Sequence, residues 1–106
     1  MAHKDVTDLQ FLRTMHQLFG TRRMVEVMGW CLLIGFNLRK GETRAELVER
    51  LMKLGVSRAA AYRAVADIKR LGNELSSLRG ETVSMADVLE EIRTVDVSLM
   101  GDEVVQ

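Results

Sequence analysis

The side chains best suited to bind a charged ligand are concentrated in one short segment, residues 55–70. Its polar members recur at helical spacing, as Arg58, Tyr62, Arg63, Lys69 and Arg70. Guanidinium and ammonium groups donate hydrogen bonds to anions, and one arginine can donate two parallel bonds to the same group. The alanines between these residues keep the helix slim. The segment therefore predicts an anion-binding surface on a narrow helix.

Two helices joined by a tight turn must position these side chains. The first is expected at residues 44–54, and Gly55 can take the left-handed conformation that ends it. Ser57 can cap the second helix, which apolar spacing extends over residues 58–78. The sequence therefore predicts a helix-turn-helix at residues 44–70. Its inner stripe is expected to be Ala61, Ala64, Val65 and Ile68.

Helical periodicity in the rest of the chain predicts an all-α fold of about five helices. The other three are expected at residues 7–19, at 21–37 and after Ser84, and the chain contains no proline. The window Met24–Phe36 is apolar on nearly every side, which is typical of a central core helix or of a dimer interface, and we expect it at the centre of the fold. Gly72 could end the long fourth helix, but the apolar seam through it favours continuity.

The domain prediction is one helical domain over residues 1–94, followed by an acidic C-terminal tail over residues 95–106. Weak alternation of Val95, Val97 and Leu99 leaves two alternatives for the tail as a whole, residues 95–106. It could form a short strand against a partner, or it could be frayed.

The formal net charge of zero hides a strong asymmetry along the 106 residues. Residues 38–72 contain nine Lys/Arg and four Asp/Glu, whereas residues 73–106 contain two Lys/Arg and eight Asp/Glu. Such a separation indicates a localised anion-binding face in the middle of the chain. The alternative is that these cations are only solvated helix surfaces.

Several other classes of chemistry have no support in the sequence. His3 and His16 have no carboxylate or cysteine at ligand spacing, and there is no phosphate-binding glycine loop or serine nucleophile motif. We therefore expect no metal, no cofactor and no enzymatic activity. Cys31 lies in an apolar run and is expected to be a buried, inert thiol. The apolar window is too short for a membrane span, so we expect a cytoplasmic protein that does not enter a membrane.

One local motif resembles a known class of proteins. Gly55-Val56-Ser57-Arg58 followed by Ala61-Tyr62-Arg63 is similar to the helix-turn-helix of DNA recombinases, resolvases and many phage or plasmid regulators. The resemblance covers residues 47–68 and none of the flanking chain. It departs from the pattern at Leu51, where those proteins have a small residue at the helix crossing. We therefore expect a wider crossing or a shifted register.

The resulting hypothesis is a sequence-specific DNA-binding protein, a small transcriptional regulator that acts as a homodimer on double-stranded DNA. The second helix of the motif would enter the major groove, whose width of about 12 Å admits a helix. Candidate base contacts are Arg58, Tyr62 and Arg63. Candidate phosphate contacts are Arg44, Lys53, Ser57, Lys69 and Arg70.

Two apolar surfaces are candidates for the dimer interface, the helix at residues 21–37 and the seam Ile68–Leu71–Leu75–Leu78. The acidic C-terminal region is a candidate surface for a protein partner. The alternative interpretation is a small helical protein–protein interaction module, an adaptor or inhibitor, with no DNA binding.

Overall fold

The computed structural model describes residues 3–37 and 41–101, apart from the side chains of three of them, and within these ranges the chain is helical with no strand. The all-α prediction is therefore confirmed. Four α-helices are followed by one short 3₁₀-helix. Their bounds are α1 His3–Asn37, α2 Arg44–Lys53, α3 Arg58–Arg79, α4 Met85–Thr94 and the 3₁₀-helix Val97–Met100.

The first two predicted helices form one long element, α1, with a kink at Gly20. Gly20 has φ 75° and ψ 169°, a conformation outside the helical region that a residue without Cβ adopts readily. The predicted start at residue 7 is wrong, because α1 begins at His3. Thr7 lies inside the first turns of α1, and its hydroxyl donates to the His3 carbonyl at 3.1 Å.

The second half of α1 contributes only one of its faces to the core. The side chains of that buried face are Met24, Val27, Cys31 and Ile34. Val25, Leu32 and Leu33 are exposed, and Trp30 is only partly buried. This half of α1 is therefore not buried on every side, and Trp30 packs against the core without being fully buried. Burial raises the pKa of the Cys31 thiol to about 12, as expected of an inert core thiol.

Helix α3 is continuous through Gly72, which is buried against the segment leading into α4. The seam that includes Ile68, Leu71 and Leu75 is fully buried within the chain, and only Leu78 at its end is exposed. This seam is therefore part of the monomer core. It is not available as a dimer interface.

The residues after α4 are attached to α1. The buried Asp8 carboxylate accepts hydrogen bonds from Lys4 Nζ at 2.5 Å and from the Asp96 backbone N–H at 3.1 Å. Lys4 also donates to the Thr94 carbonyl at 2.8 Å. The next element is the 3₁₀-helix Val97–Met100. The described part of the tail is therefore neither a strand nor a frayed end. Residues 102–106 of the predicted acidic tail lie outside the described residues.

Candidate nucleic-acid interface

The turn between α2 and α3 is built by backbone hydrogen bonds that close the end of α2. The Gly55 N–H donates to the Met52 carbonyl at 3.0 Å, and the Val56 N–H donates to the Leu51 carbonyl at 3.1 Å. This pair of bonds defines a Schellman motif, and Gly55 supplies its left-handed residue with φ 97°. The predicted role of Gly55 is confirmed, and the turn fixes the direction in which α3 leaves α2.

The first turn of α3 is closed by a side-chain cap. The Ser57 hydroxyl accepts a hydrogen bond from the Ala60 N–H at 3.2 Å. A serine hydroxyl carries one donor as well as its acceptor sites, so Ser57 Oγ–H stays available to bind an anion. The backbone N–H groups of the first turn point out of the same N-terminal end of α3, and they can donate to the same anion.

The side chains of α3 divide into a buried stripe and an exposed surface. All four residues predicted for the inner stripe are buried, namely Ala61, Ala64, Val65 and Ile68. The residues on the opposite side, which we call the outer face, are exposed except for the half-buried Tyr62. The outer face consists of Arg58, Ala59, Tyr62, Arg63 and Ala66.

Leu51 fills the contact between the two helices. Its side chain is fully buried, in the same core cluster as Ala61 of α3, and Val56 packs against that cluster from the turn. Leu51 is therefore a core residue, and the wider crossing or shifted register expected from it stays a prediction.

Two of the arginines counted in the basic segment are paired with carboxylates. Arg50 Nη1 donates to both carboxylate oxygens of Glu42 at 3.0 and 2.9 Å, and the Glu42 side chain is only 3% exposed. Arg58 contacts Glu49 at 3.4 Å, but both side chains are more than half exposed. The Arg50 pair is part of the folded structure, whereas an exposed pair of this kind contributes little and exchanges readily with solvent.

The other predicted cations of α2 and α3 have no carboxylate partner among the described residues. Lys53, Arg63 and Lys69 are exposed and make no ion pair there. The guanidinium of Arg70 lies over the Phe19 ring of α1, 5.7 Å from its centroid. Arg39 and Lys40, which also contribute to the basic charge, lie outside the described residues.

Arg44 and Tyr62 are brought together although they are 18 positions apart in the sequence. The Arg44 guanidinium lies 5.1 Å from the centroid of the Tyr62 ring, a distance suited to a cation–π contact. The contact links the start of α2 to the second turn of α3. It holds one predicted phosphate contact beside one predicted base contact.

Nearly all the predicted site residues lie along one helix, so their spacing follows from helix geometry. Arg58 and Arg70 are twelve residues apart on α3, which corresponds to about 18 Å along the axis. Arg58, Tyr62 and Arg63 occupy the first two turns. Lys69 and Arg70 lie about two turns further along, and Lys53 lies at the end of α2.

One charged residue of this region was missed by the sequence reasoning. Arg23 of α1 donates hydrogen bonds to Glu26 and to Asp67 of α3, and the bond to Glu26, then that to Asp67, raise the pKa of its guanidinium. Arg23 and Asp67 are 44 positions apart, and no local pattern connects them. Asp67 thus has its partner on α1 and not on its own helix.

Two further observations limit the chemistry of the described residues. Residues 3–37 and 41–101 contain no group of three or more histidine, cysteine or carboxylate side chains able to hold a metal ion. Within the same ranges, no helix combines the length and apolar character required to cross a membrane.

Comparison with known proteins gave no match to a family model, a curated protein or a solved structure.

Proposed function

We propose that the unit formed by α2, the turn and α3 is a helix-turn-helix that binds double-stranded DNA. The observation that carries this proposal is the outer face of α3, where exposed cations and alanines lie opposite a fully buried stripe. A slim helix with donors on its exposed side can enter the major groove, where an arginine can donate two bonds to a guanine. The Schellman turn and the Ser57 cap support the assignment because they hold the start of α3 rigidly.

The proposed roles follow from position along α3. Arg58, Tyr62 and Arg63 would contact base edges because they lie in the first two turns, beside the capped end. Lys69 and Arg70, with Lys53 and Arg44 on α2, would contact phosphates on either side and carry no sequence information. Ser57 and the neighbouring N–H groups would bind a phosphate at the helix N-terminus. In this proposal the chain acts as a small sequence-specific regulator.

Arg63→Ala and Lys53→Ala should weaken DNA binding in different ways. A selected duplex should lose about 1–3 kcal/mol of binding free energy on Arg63→Ala, with a relaxed preference at one base pair. Lys53→Ala should weaken all duplexes alike and reduce the slope of log affinity against log salt by about 1. Fluorescence anisotropy on a duplex selected from a random library, at several salt concentrations, measures both.

The proposal fails if the wild-type protein binds no duplex at low salt. It also fails if both variants bind like wild type while their circular dichroism shows intact helices. Glu90→Ala, on the exposed surface of α4, is a suitable control because it removes a charged side chain outside the proposed interface.

We also propose that the protein acts as a homodimer, because two-fold pairing doubles the number of bases that one small module can contact. With the α3 seam buried, the remaining candidate surface is the exposed apolar side of α1. It consists of Val25, Leu32 and Leu33, and Val25 is 66% exposed. Light scattering at micromolar concentration should give about twice the 12.0 kDa chain mass. A value near the mass of one chain would exclude the dimer.

The same apolar side of α1 favours the second candidate, a helical protein-interaction module. Exposed apolar side chains on one helix face are a common site of protein contact. Duplex binding separates the two candidates. The first should keep its affinity for non-specific duplex after Leu32→Glu even if the dimer dissociates, whereas an interaction module binds no duplex and would lose its protein partner. Steep salt dependence of duplex binding favours the first candidate.

A further inference from the structure

Asp67 is the one carboxylate of α3 that lies between two of the proposed DNA-binding arginines. It follows Arg63 by four residues and precedes Arg70 by three. Residues at these spacings are neighbours on a helix surface, with Cβ atoms about 5–6 Å apart, so Asp67 could pair with either arginine. In the structure it bonds Arg23 of α1, and neither Arg63 nor Arg70 has a carboxylate partner among the described residues.

The surrounding contacts hold this arrangement in place. Arg23 is about three-quarters buried, with its side chain 26% exposed, and it also bonds Glu26 on its own helix. The guanidinium of Arg70 lies against Phe19, which precedes Arg23 by four residues and lies on the other side of the Gly20 kink. At the contact between α1 and α3, Asp67 is therefore paired with Arg23, a cation that is itself largely buried.

An unpaired Asp67 would affect binding of a polyanion in two ways. It would place a negative charge within one helical turn of two proposed contacts, where it repels phosphates. It would also compete with DNA for the guanidinium groups of those arginines, since an ion pair at these spacings is favourable. Both effects reduce the positive charge that DNA encounters.

We propose that Arg23 is a positioning residue for the proposed DNA-binding arginines of α3. Its guanidinium pairs with Asp67, so that Arg63 and Arg70 keep no carboxylate partner and can bind DNA. This inference rests on the proposed function. Arg23 itself need not contact DNA. It acts across the α1–α3 contact by determining which cation the carboxylate binds.

Arg23→Met provides the test because it keeps an unbranched apolar chain in the partly buried space and removes only the charged group. We expect the variant to bind a random-sequence duplex about fivefold more weakly than wild type at moderate salt. The slope of log affinity against log salt should fall by up to about 1, because one arginine is captured by Asp67. Circular dichroism and urea unfolding establish that the variant is folded.

Two double variants and a charge-matched control make the test specific. Arg23→Met with Asp67→Asn should restore affinity to within about twofold of wild type, because the competing carboxylate is gone. Arg23→Met with Glu26→Gln should not, because Glu26 lies on α1 and not beside the two arginines. Arg93→Met removes an equal charge from α4, where Arg93 pairs with the exposed Glu90, and should bind like wild type.

Each outcome distinguishes this inference from the proposed function. If wild type binds no duplex, the proposed function is wrong and the role given to Arg23 falls with it. If wild type binds and folded Arg23→Met binds equally well, only the role of Arg23 is wrong. Equal rescue by Glu26→Gln and Asp67→Asn would also overturn it, since total charge and not capture by Asp67 would then explain the loss. Should Arg23→Met fail to fold, Arg23→Gln replaces it as an uncharged polar side chain, and unchanged binding after Asp67→Asn is added to that variant would overturn the inference.

Discussion

Leu51→Ala is expected to lower the free energy of unfolding by about 3 kcal/mol. Leu51 has no exposed surface, and it lies where α2 packs against α3. Its truncation would leave a cavity in the core cluster, against which Val56 of the Schellman turn packs. Urea unfolding followed by circular dichroism at 222 nm measures the change.

Leu54→Ala is the matched control for this prediction. Leu54 lies three residues later in the turn and is 59% exposed, so the same truncation should change the free energy of unfolding by less than about 0.5 kcal/mol. The comparison also tests the departure from the resembling motif. Leu51→Ala tolerated as well as Leu54→Ala would contradict this prediction. It would show that the two helices can close to the distance that a small residue permits, against the wider crossing or shifted register expected at Leu51.

Gly72→Ala is expected to destabilise the protein by about 1–2 kcal/mol, although alanine is the better helix former. A Cβ atom at position 72 would lie 3.0 Å from the Val83 carbonyl oxygen and 3.4 Å from a methyl group of Val88. The Val83 segment cannot easily move away, because the Val83 N–H donates to Ser76 Oγ at 2.8 Å. Thermal and urea unfolding of the variant measure the loss.

Gly29→Ala should have the opposite effect. Gly29 also lies inside a helix, but no side chain and no atom from another part of the described chain is within 4 Å of the Cβ position, apart from the adjacent residues, so only the helix propensity changes. We expect a gain of about 0.5–1 kcal/mol in the free energy of unfolding. If Gly72→Ala stabilised the protein as Gly29→Ala is expected to do, the close contact of Gly72 with Val83 and Val88 would be wrong.

Several local features of this chain were predictable because the interacting residues are close in sequence. Gly55 ends α2 and Ser57 caps α3 through hydrogen bonds to residues no more than five positions away. The break at Gly20 and the start of α4 after Ser84 follow from the same local rules. The inner stripe of α3 was also predictable, because helical periodicity alone determines which residues share a face.

The sequence could not determine which apolar surfaces are buried, because burial depends on what the rest of the chain places against them. The window Met24–Phe36 carries apolar residues on nearly every side, yet the chain covers only one face and leaves Val25 in solvent. The α3 seam has the spacing of a dimer interface, but α1 and α4 cover it. Gly72 stays inside a continuous helix because the segment leading into α4 packs directly against it.

The ion pairs of the candidate interface could not be predicted from the sequence either. By sequence alone, Asp67 is a carboxylate between two arginines of its own helix, where an ion pair with either would lower the net positive charge of that surface. The tertiary structure brings Arg23 to it from 44 positions away. Hydrogen bonding over such a separation depends on how α1 crosses α3, and that crossing follows from the packing of many side chains together. The sequence by itself therefore determined the all-α class, the turn at Gly55, the Ser57 cap and the outer face of α3. Only the tertiary structure decided which charges of α3 have a carboxylate partner.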